Sequence, residues 1–326
     1  MKSNKILSAL LSLSITASAI NMLPANAAEI VNSGQCGENA EWTLDSEGTL
    51  TISGSGAVTD WGLNLCRFEE DKIIISWKAS QYGEICPWYY DRELIKNVVI
   101  EEGITHIGTA SFIDCDNLIS VSLPDTLKTT EWAAFLHCDN LPSIKFPASM
   151  EVMDYGFLGF CNSIESLTVP AGVLAIESEA FQRMAGLKSI YILSRDCEIS
   201  PYAKTISNVY SDGEYRFYGT IYGYRDSTAQ AYAEAIGYNF TALETIARGD
   251  VDSDGSINAV DASMILSEYA RTATGKSSSF EDLQRIISDV NYDNAVDSSD
   301  ASSVLGYYAY TATGGTDSLE DFLNRD

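Results

Sequence analysis

Two stretches near the C-terminal end place oxygen-bearing side chains at fixed intervals. Counting from Asp250, the positions 1, 3, 5, 9 and 12 hold Asp250, Asp252, Asp254, Asn258 and Asp261. Gly255 stands at position 6, where the chain must turn sharply, and Ser256 at position 7 can offer its backbone carbonyl. A hard divalent cation takes six to eight oxygens, and this rhythm brings that many to one centre, so the chemistry is calcium binding in a loop of the EF-hand type. Without a cation, four carboxylates this close would repel one another. Thirty-nine residues later, Asp289, Asn291, Asp293, Asp297 and Asp300 repeat the same positions. The copies extend past the loops: Leu266 matches Leu305, Tyr269 matches Tyr308, and Thr272–Gly275 matches Thr311–Gly314. Two copies imply two ions.

A ligand set of this kind needs elements that hold it. Each loop runs into an apolar-periodic stretch that predicts a helix. Ile265, Leu266, Tyr269, Val304, Leu305 and Tyr308 are expected to form the core of a small all-α module, with Ile257 and Val296 at position 8 pairing across the loops.

Upstream lies a different periodicity. Cys115, Cys138 and Cys161 are spaced by 23 residues, and the spacing belongs to a repeat. Five copies align over 87–201. Their third positions read Tyr89, Phe112, Phe135, Leu158 and Phe181, and their ninth Ile95, Leu118, Leu141, Ile164 and Leu187. Positions 12 and 14 are apolar pairs such as Val98/Ile100 and Leu167/Val169, which predicts one short strand per copy with two inward side chains. Pro124, Pro147 and Pro170 follow the strand and turn the chain. A period of 20–29 residues with aliphatic positions at fixed offsets is the mark of a leucine-rich-repeat solenoid, an α/β fold whose coils bury their apolar faces only by stacking. The three cysteines then form an inward column of small apolar side chains, continued by Met184.

The repeats need caps. Glu41–Gly54 reads as a β-hairpin covering the first coil. Behind the last coil, Gly219–Gly223 reads as a strand and Ser227–Ile236 as a helix with Ser227 as N-cap. Lys2 and Lys5 before the apolar run Ile6–Ile20, and the small residues ending at Ala28, predict a secretory signal peptide over 1–28. The domains follow: 29–86 N-terminal cap and insert, 87–201 repeats, 202–243 C-terminal cap, 244–248 linker, 249–326 calcium module. In a secreted chain, Cys66 and Cys86 at the ends of the insert can pair or stay free. Cys36 and Cys197 are unassigned.

A formal charge of −26 on 326 residues argues against nucleic acid and against anionic membrane surfaces as partners. No stretch beyond the leader is apolar enough to insert in a membrane.

Residues 249–326 resemble a dockerin, the module that holds proteins on cellulosomes. The resemblance rests on Gly-Asp-Val-Asp-Ser-Asp-Gly-Ser-Ile-Asn from Gly249, the following Asp261 and helix, and the second copy. It implies calcium ligands at Asp250, Asp252, Asp254, Ser256 (carbonyl), Asn258 and Asp261, then at Asp289, Asn291, Asp293, Ala295 (carbonyl), Asp297 and Asp300. Asn294 replaces the usual glycine of the second loop and tolerates the left-handed turn better than most residues. The resemblance also implies a cohesin domain of a scaffoldin as partner, met by Ala259, Val260, Ser263 and Met264 in one copy and Ser298, Ser299, Ser302 and Ser303 in the other. Those two faces differ, which disfavours binding in two orientations. Cys36–Leu243 is similar to the BspA-like leucine-rich-repeat family of bacterial surface proteins, on the Trp42-Thr-Leu hairpin, Pro87-Trp88, Ile95–Gly108 and the tail from Tyr222. That similarity implies adhesion or protein interaction.

Together these readings describe a secreted, non-catalytic cellulosome component whose solenoid binds a protein or a polysaccharide in support of plant polysaccharide breakdown. Trp77, Tyr82, Trp88, Tyr89 and Tyr90 would offer rings to a sugar, or else pack the cap and first coil. One competing reading is a glycoside hydrolase, which needs two carboxylates facing across a cleft; no pair is marked out in the sequence. Another is a calcium-dependent surface adhesin whose tail binds no cohesin. His106 and His137, the two histidines, each sit within a repeat and outside any metal-ligand spacing.

Overall fold

The computed structural model describes residues 28–61, 66–69, 72–75, 85–243, 248–252, 254–276, 278–280, 282–291 and 295–325, with backbone alone for 66–69, 72–75 and Asp282. Residues 1–27 of the expected leader, Trp77, Tyr82, most of the expected linker, Asp293 and Asn294 lie outside the described residues.

The N-terminal cap is a three-stranded antiparallel meander, β1 (Ile30–Gln35), β2 (Asn39–Asp45) and β3 (Thr49–Ala57). Strands β2 and β3 are the expected hairpin, and they bury Trp42, Leu44, Leu50 and Ile52 on one face. All six residues of β1 are exposed, so it carries no alternation by which the sequence could announce it. Within the insert, β4 (Cys66–Glu69) and β5 (Lys72–Ile75) pair antiparallel.

The coils of the solenoid build two sets of parallel strands where the sequence predicts one, the first set interrupted at the third coil, whose Ile144–Phe146 segment forms no strand. The first ladder is β6 (Asn97–Ile100) and β8 (Ser120–Ser122), then β11 (Ser166–Val169), β13 (Ser189–Ile192), β17 (Thr220–Gly223) and β18 (Asn239–Ala242). The second ladder is β7 (Ile104–Ile107), β9 (Thr129–Thr130), β10 (Val152–Met153), β12 (Ala175–Ile176) and β14 (Glu198–Ile199). Both begin on β3, whose two halves pair with β6 and β7. The second ladder escapes the pattern because its inward residues, such as Ile104 and Ile107 of β7, are three apart, not two. Between ladders, the amide N–H groups of Leu127, Met150 and Val173 donate to the carbonyls of Pro124, Pro147 and Pro170 at 3.1 Å, closing the proline turns.

Side chains at equal repeat positions stack inside, except in the first coil, where Trp88 fills the inward place expected of the half-buried Tyr89. Trp88, Phe112 and Phe135 form a column with ring centroids 5.7 and 4.9 Å apart. Cys115, Cys138, Cys161 and Met184 form the expected buried column. The thiols of Cys138 and Cys161 donate to the carbonyls of Phe112 and Phe135 at 3.2 and 3.1 Å. Burial pushes the Cys115 and Cys138 thiols well up, so they stay protonated and inert. Cys36 and Cys197 are also buried and free, each pushed up to about 12, first by burial and then by Glu41 and Glu198 respectively. Cys86 is buried with a free thiol, while the Cys66 side chain of the predicted pair lies outside the described residues.

The returning arc of the second to fifth coils turns twice through the left-handed region, at Ala110, Ala133, Gly156 and Glu179 and again at Asp114, His137, Phe160 and Arg183. Hydrogen bonds between coils hold it: Ala110, Phe112 and Asp114 donate backbone N–H to Trp132, Ala134 and Leu136.

At the far end, β15 (Val209–Ser211) and β16 (Glu214–Arg216) form a hairpin. Helix α1 (Thr228–Ile236) starts where expected, with Ser227 Oγ accepting from Gln230 N at 3.3 Å, and stops at Gly237. The C-terminal module consists of α2 (Ala259–Ala273), α3 (Asp282–Ser288), α4 (Ser298–Ala312) and α5 (Leu319–Leu323). Its core joins Val251, Ala262, Ile265, Ile287, Val290, Ala301, Val304 and Leu319. Ile286 of α3 faces the other way and packs with Tyr191 and Leu243 of the solenoid end. No helix among the described residues is long and apolar enough to cross a membrane.

Candidate calcium-binding and docking site

Each Asp-rich loop is closed by the carboxylate that begins the helix after it. Asp261 is fully buried; its Oδ1 accepts from Val251 N at 2.7 Å and its Oδ2 from Asn258 N at 2.8 Å. Asp300 repeats this in the second copy, accepting from Val290 N at 2.9 Å and Asp297 N at 3.0 Å. Asn258 and Asp297 complete the capping boxes by accepting from Val260 N and Ser299 N at 2.7 and 2.6 Å. Hydrogen bonds from the Ser299 backbone and hydroxyl hold Asp297 below the usual carboxylate range. Helix N-termini thus face both loops, and the dipole favours the carboxylates there.

In the first loop the carboxylates of Asp250, Asp252 and Asp254 lie within 4.8 Å of one another. Asp250 accepts from Asp254 N and Gly255 N, and Asp254 from Ser256 N, so the side chains turn inward along the loop. Gly255 takes a φ of +88°, the position-6 turn that a β-carbon would strain. Desolvation, then the Asp254, Asp261 and Asp250 carboxylates, raise Asp252 above the usual range. Convergent hard oxygens around excess negative charge fit a calcium ion. In the second loop, Asp289 is buried, Asn291 and Ala295 are exposed, and Asn291 Nδ2 donates to Ser299 Oγ at 2.8 Å.

Helices α2 and α4 pack side by side and present the residues expected to meet a partner. Ala259, Val260 and Ser263, and Ser298, Ser299 and Ser302, are exposed. Met264 and Ser303 are half-buried, Met264 against the module core. Ile257 and Val296 both pack half-buried on that same core.

One expectation fails. Leu266, Tyr269, Leu305 and Tyr308 are not core; they are 41, 40, 42 and 44% exposed. For the leucines the reason is helical geometry: Ile265 and Val304 are fully buried, and Leu266 and Leu305, one residue on, point about 100° away. The two copies therefore display the same exposed leucine and tyrosine, a surface the sequence reading missed although the helical period contained it.

The aromatic residues around the first coil divide. Trp88 is fully buried and donates to the Ser111 carbonyl at 2.6 Å, so it packs the core and offers no ring to a ligand. Tyr89 is half-buried beneath the Arg92 guanidinium, and Tyr90 is exposed. Another pair, Trp132 and Tyr155, stacks half-exposed on adjacent coils with centroids 6.2 Å apart.

The fold and the loops together define a repeat solenoid joined to a small helical binding module with duplicated cation loops. Residues 85–209 match the BspA type leucine rich repeat region, in six copies, and residues 248–307 match the dockerin type I domain. The chain carries a BspA-type leucine-rich-repeat region followed by a type I dockerin.

Among solved structures, the chain is similar to a leucine-rich repeat protein from Eubacterium ventriosum ATCC 27560, at 21% identity over 49% of this chain and 44% of that one, with a TM-score of 0.37. It is similar to the T. pallidum leucine rich repeat protein at 16% identity over 64% of this chain and 98% of that one (TM-score 0.34). A leucine rich cell surface protein from Faecalibacterium prausnitzii A2-165 shares 17% identity over 60% and 55%, respectively, with a TM-score of 0.30. The chain spans less than half the length of the first of these. No curated protein matches it. Type I dockerins bind calcium and dock onto the cohesins of scaffoldins, and both matched regions are binding modules without catalytic function.

Proposed function

We propose that this chain is a secreted, non-catalytic cellulosome component held by calcium-dependent docking of residues 249–326 onto a scaffoldin cohesin. The duplicated closure of the loops by Asp261 and Asp300 carries the reading, since it builds two equivalent sites on two equivalent helices. The first ion is held by Asp250, Asp252, Asp254, the Ser256 carbonyl, Asn258 and Asp261. The second is held by Asp289, Asn291, Asp293, the Ala295 carbonyl, Asp297 and Asp300. Calcium supplies the positive charge that lets each acidic loop close against its helix. The cohesin meets Ala259, Val260, Ser263 and Met264 or Ser298, Ser299, Ser302 and Ser303, with the exposed leucines and tyrosines of the same helices beside them. The solenoid, residues 87–201 between caps at 29–86 and 202–243, presents a protein or polysaccharide ligand-binding surface outside the cell, in support of plant polysaccharide breakdown.

Capture of the whole chain on immobilised cohesins, with calcium and with chelator, tests the first half. Binding in calcium that chelator abolishes is expected; a tail that binds no cohesin would make the protein a free adhesin. Replacing Ala259-Val260 by Ser-Ser should change the affinity, and an unchanged affinity removes that face from the contact. Affinity electrophoresis in cellulose, xylan or pectin separates the two ligand classes, retardation indicating a polysaccharide. Reducing-sugar release from the same polymers would overturn the non-catalytic reading.

A further inference from the structure

Folding brings together three residues that no sequence spacing connects. Asp60 follows the last cap strand, His106 lies in β7 of the first coil, and Glu131 follows β9 of the second. One potential ligand atom from each lies within 4.8 Å of those of the other two. We propose that Asp60, His106 and Glu131 bind a divalent transition-metal ion of the Zn2+ class, which staples the N-terminal cap to the first two coils.

The imidazole is oriented for this role. His106 Nδ1 is 2.8 Å from Thr129 Oγ1, the residue one rung below it in the ladder. With Nδ1–H donating to that hydroxyl, Nε2 keeps its lone pair and faces the carboxylates. A histidine ligand characteristically has its second nitrogen fixed in this way. The Nε2 to Asp60 Oδ1 distance is 3.5 Å, longer than a good hydrogen bond. Two atoms bound to one ion at ~2.0–2.2 Å with tetrahedral angles stand roughly 3.3–3.6 Å apart, which is the spacing found. Asp60 is steadied by Thr109 N at 3.1 Å, and Glu131 by its own backbone bond to the Ile107 carbonyl at 2.9 Å.

Charge points the same way. Two carboxylates share one imidazole, and Asp154 is a third acid near them. A dication relieves that crowding. One nitrogen and two carboxylate oxygens, with no thiolate, suit Zn2+ or its first-row neighbours and leave a position for water. The described cysteines are buried and do not compete.

The test uses the whole chain in saturating calcium, so that the Asp-rich loops are filled, titrated with Zn2+ by calorimetry and with Co2+ by visible absorption. One further ion per chain is expected, with a cobalt spectrum showing nitrogen and oxygen ligands and no thiolate charge-transfer band. His106→Gln should weaken Zn2+ at least 30-fold. Thr129→Val, which leaves all three ligands in place, should weaken it about 10- to 100-fold. Zn2+ should raise the melting midpoint of the solenoid in the parent chain and raise it less in each variant at the same Zn2+ concentration. Absence of the extra ion, or undiminished binding in Thr129→Val and Glu131→Gln, overturns the proposal, and the latter two variants keep the test open should His106→Gln fail to fold.

Discussion

The solenoid and the C-terminal module solve the same problem with opposite materials. The solenoid repeats one apolar solution: Phe112, Phe135, Leu158 and Phe181 stack at one position and Cys115, Cys138, Cys161 and Met184 at another, all inside. Its stability is a sum over neighbouring coils, and no single residue is indispensable. The module has a small core and, among the described residues, four buried acids, Asp261, Glu268, Asp289 and Asp300. Burying carboxylates is costly unless each is paired or hydrogen-bonded, so the module depends on a few polar contacts and, on the proposed reading, on calcium. The difference teaches where each half can be broken: the solenoid by cavities, the module by charge.

The largest effect expected is the loss of the module alone. Asp250→Ala with Asp289→Ala should abolish its helical circular dichroism and its cohesin binding while the solenoid transition stays within a few degrees. If the double variant keeps both thermal transitions, the module is held by its apolar core and not by cations. Next comes the reciprocal cut. Phe135→Ala leaves a cavity in the middle of the stack and should cost about 3–5 kcal/mol in the solenoid transition, with cohesin affinity unchanged. Coupled loss of docking would show that the two halves fold as one.

A third cut sharpens the electrostatic side. Glu268 accepts from Ser279 N at 2.9 and 3.1 Å and from Ser279 Oγ at 2.5 Å. Burial pushes its carboxyl up, but hydrogen bonds from Ser278, Ser279 and the Phe280 amide outweigh burial and leave it lowered. With the folded pKa below the unfolded one, its contribution is whole above the ordinary glutamate range and is lost as pH falls through the depressed value. Glu268→Ala should remove about 2 kcal/mol from the module and flatten its acid limb in pH-dependent melts. The smallest effect is in the cysteine column. Cys138→Ala should cost about 1 kcal/mol, and the native thiols should resist a thiol reagent until the solenoid unfolds.

How much of this was legible in the sequence depended on whether position alone sets the role. The inward columns were readable because every 23rd residue meets the same environment, and the cation loops because ligand spacing is fixed by the turn around one centre. The second strand ladder was not, since its inward residues fall three apart. Neither were the left-handed turns at Asp114, His137, Phe160 and Arg183, where side-chain identity varies and hydrogen bonds between coils dictate the backbone. Leu266 and Leu305 were misjudged by hydrophobicity, though helical rotation away from Ile265 and Val304 places them outside. The Asp60, His106 and Glu131 cluster was invisible because stacking, not spacing, assembles it. Only the fold shows it.

Hydrogen exchange of the whole chain in calcium and in chelator tests the contrast between the two halves most directly. The account predicts that amides of 249–325 lose protection in chelator while 85–243 keep theirs, with change in the solenoid confined to the rungs around Tyr191 and Leu243 that touch Ile286. Protection lost in both halves together, or in neither, would contradict it.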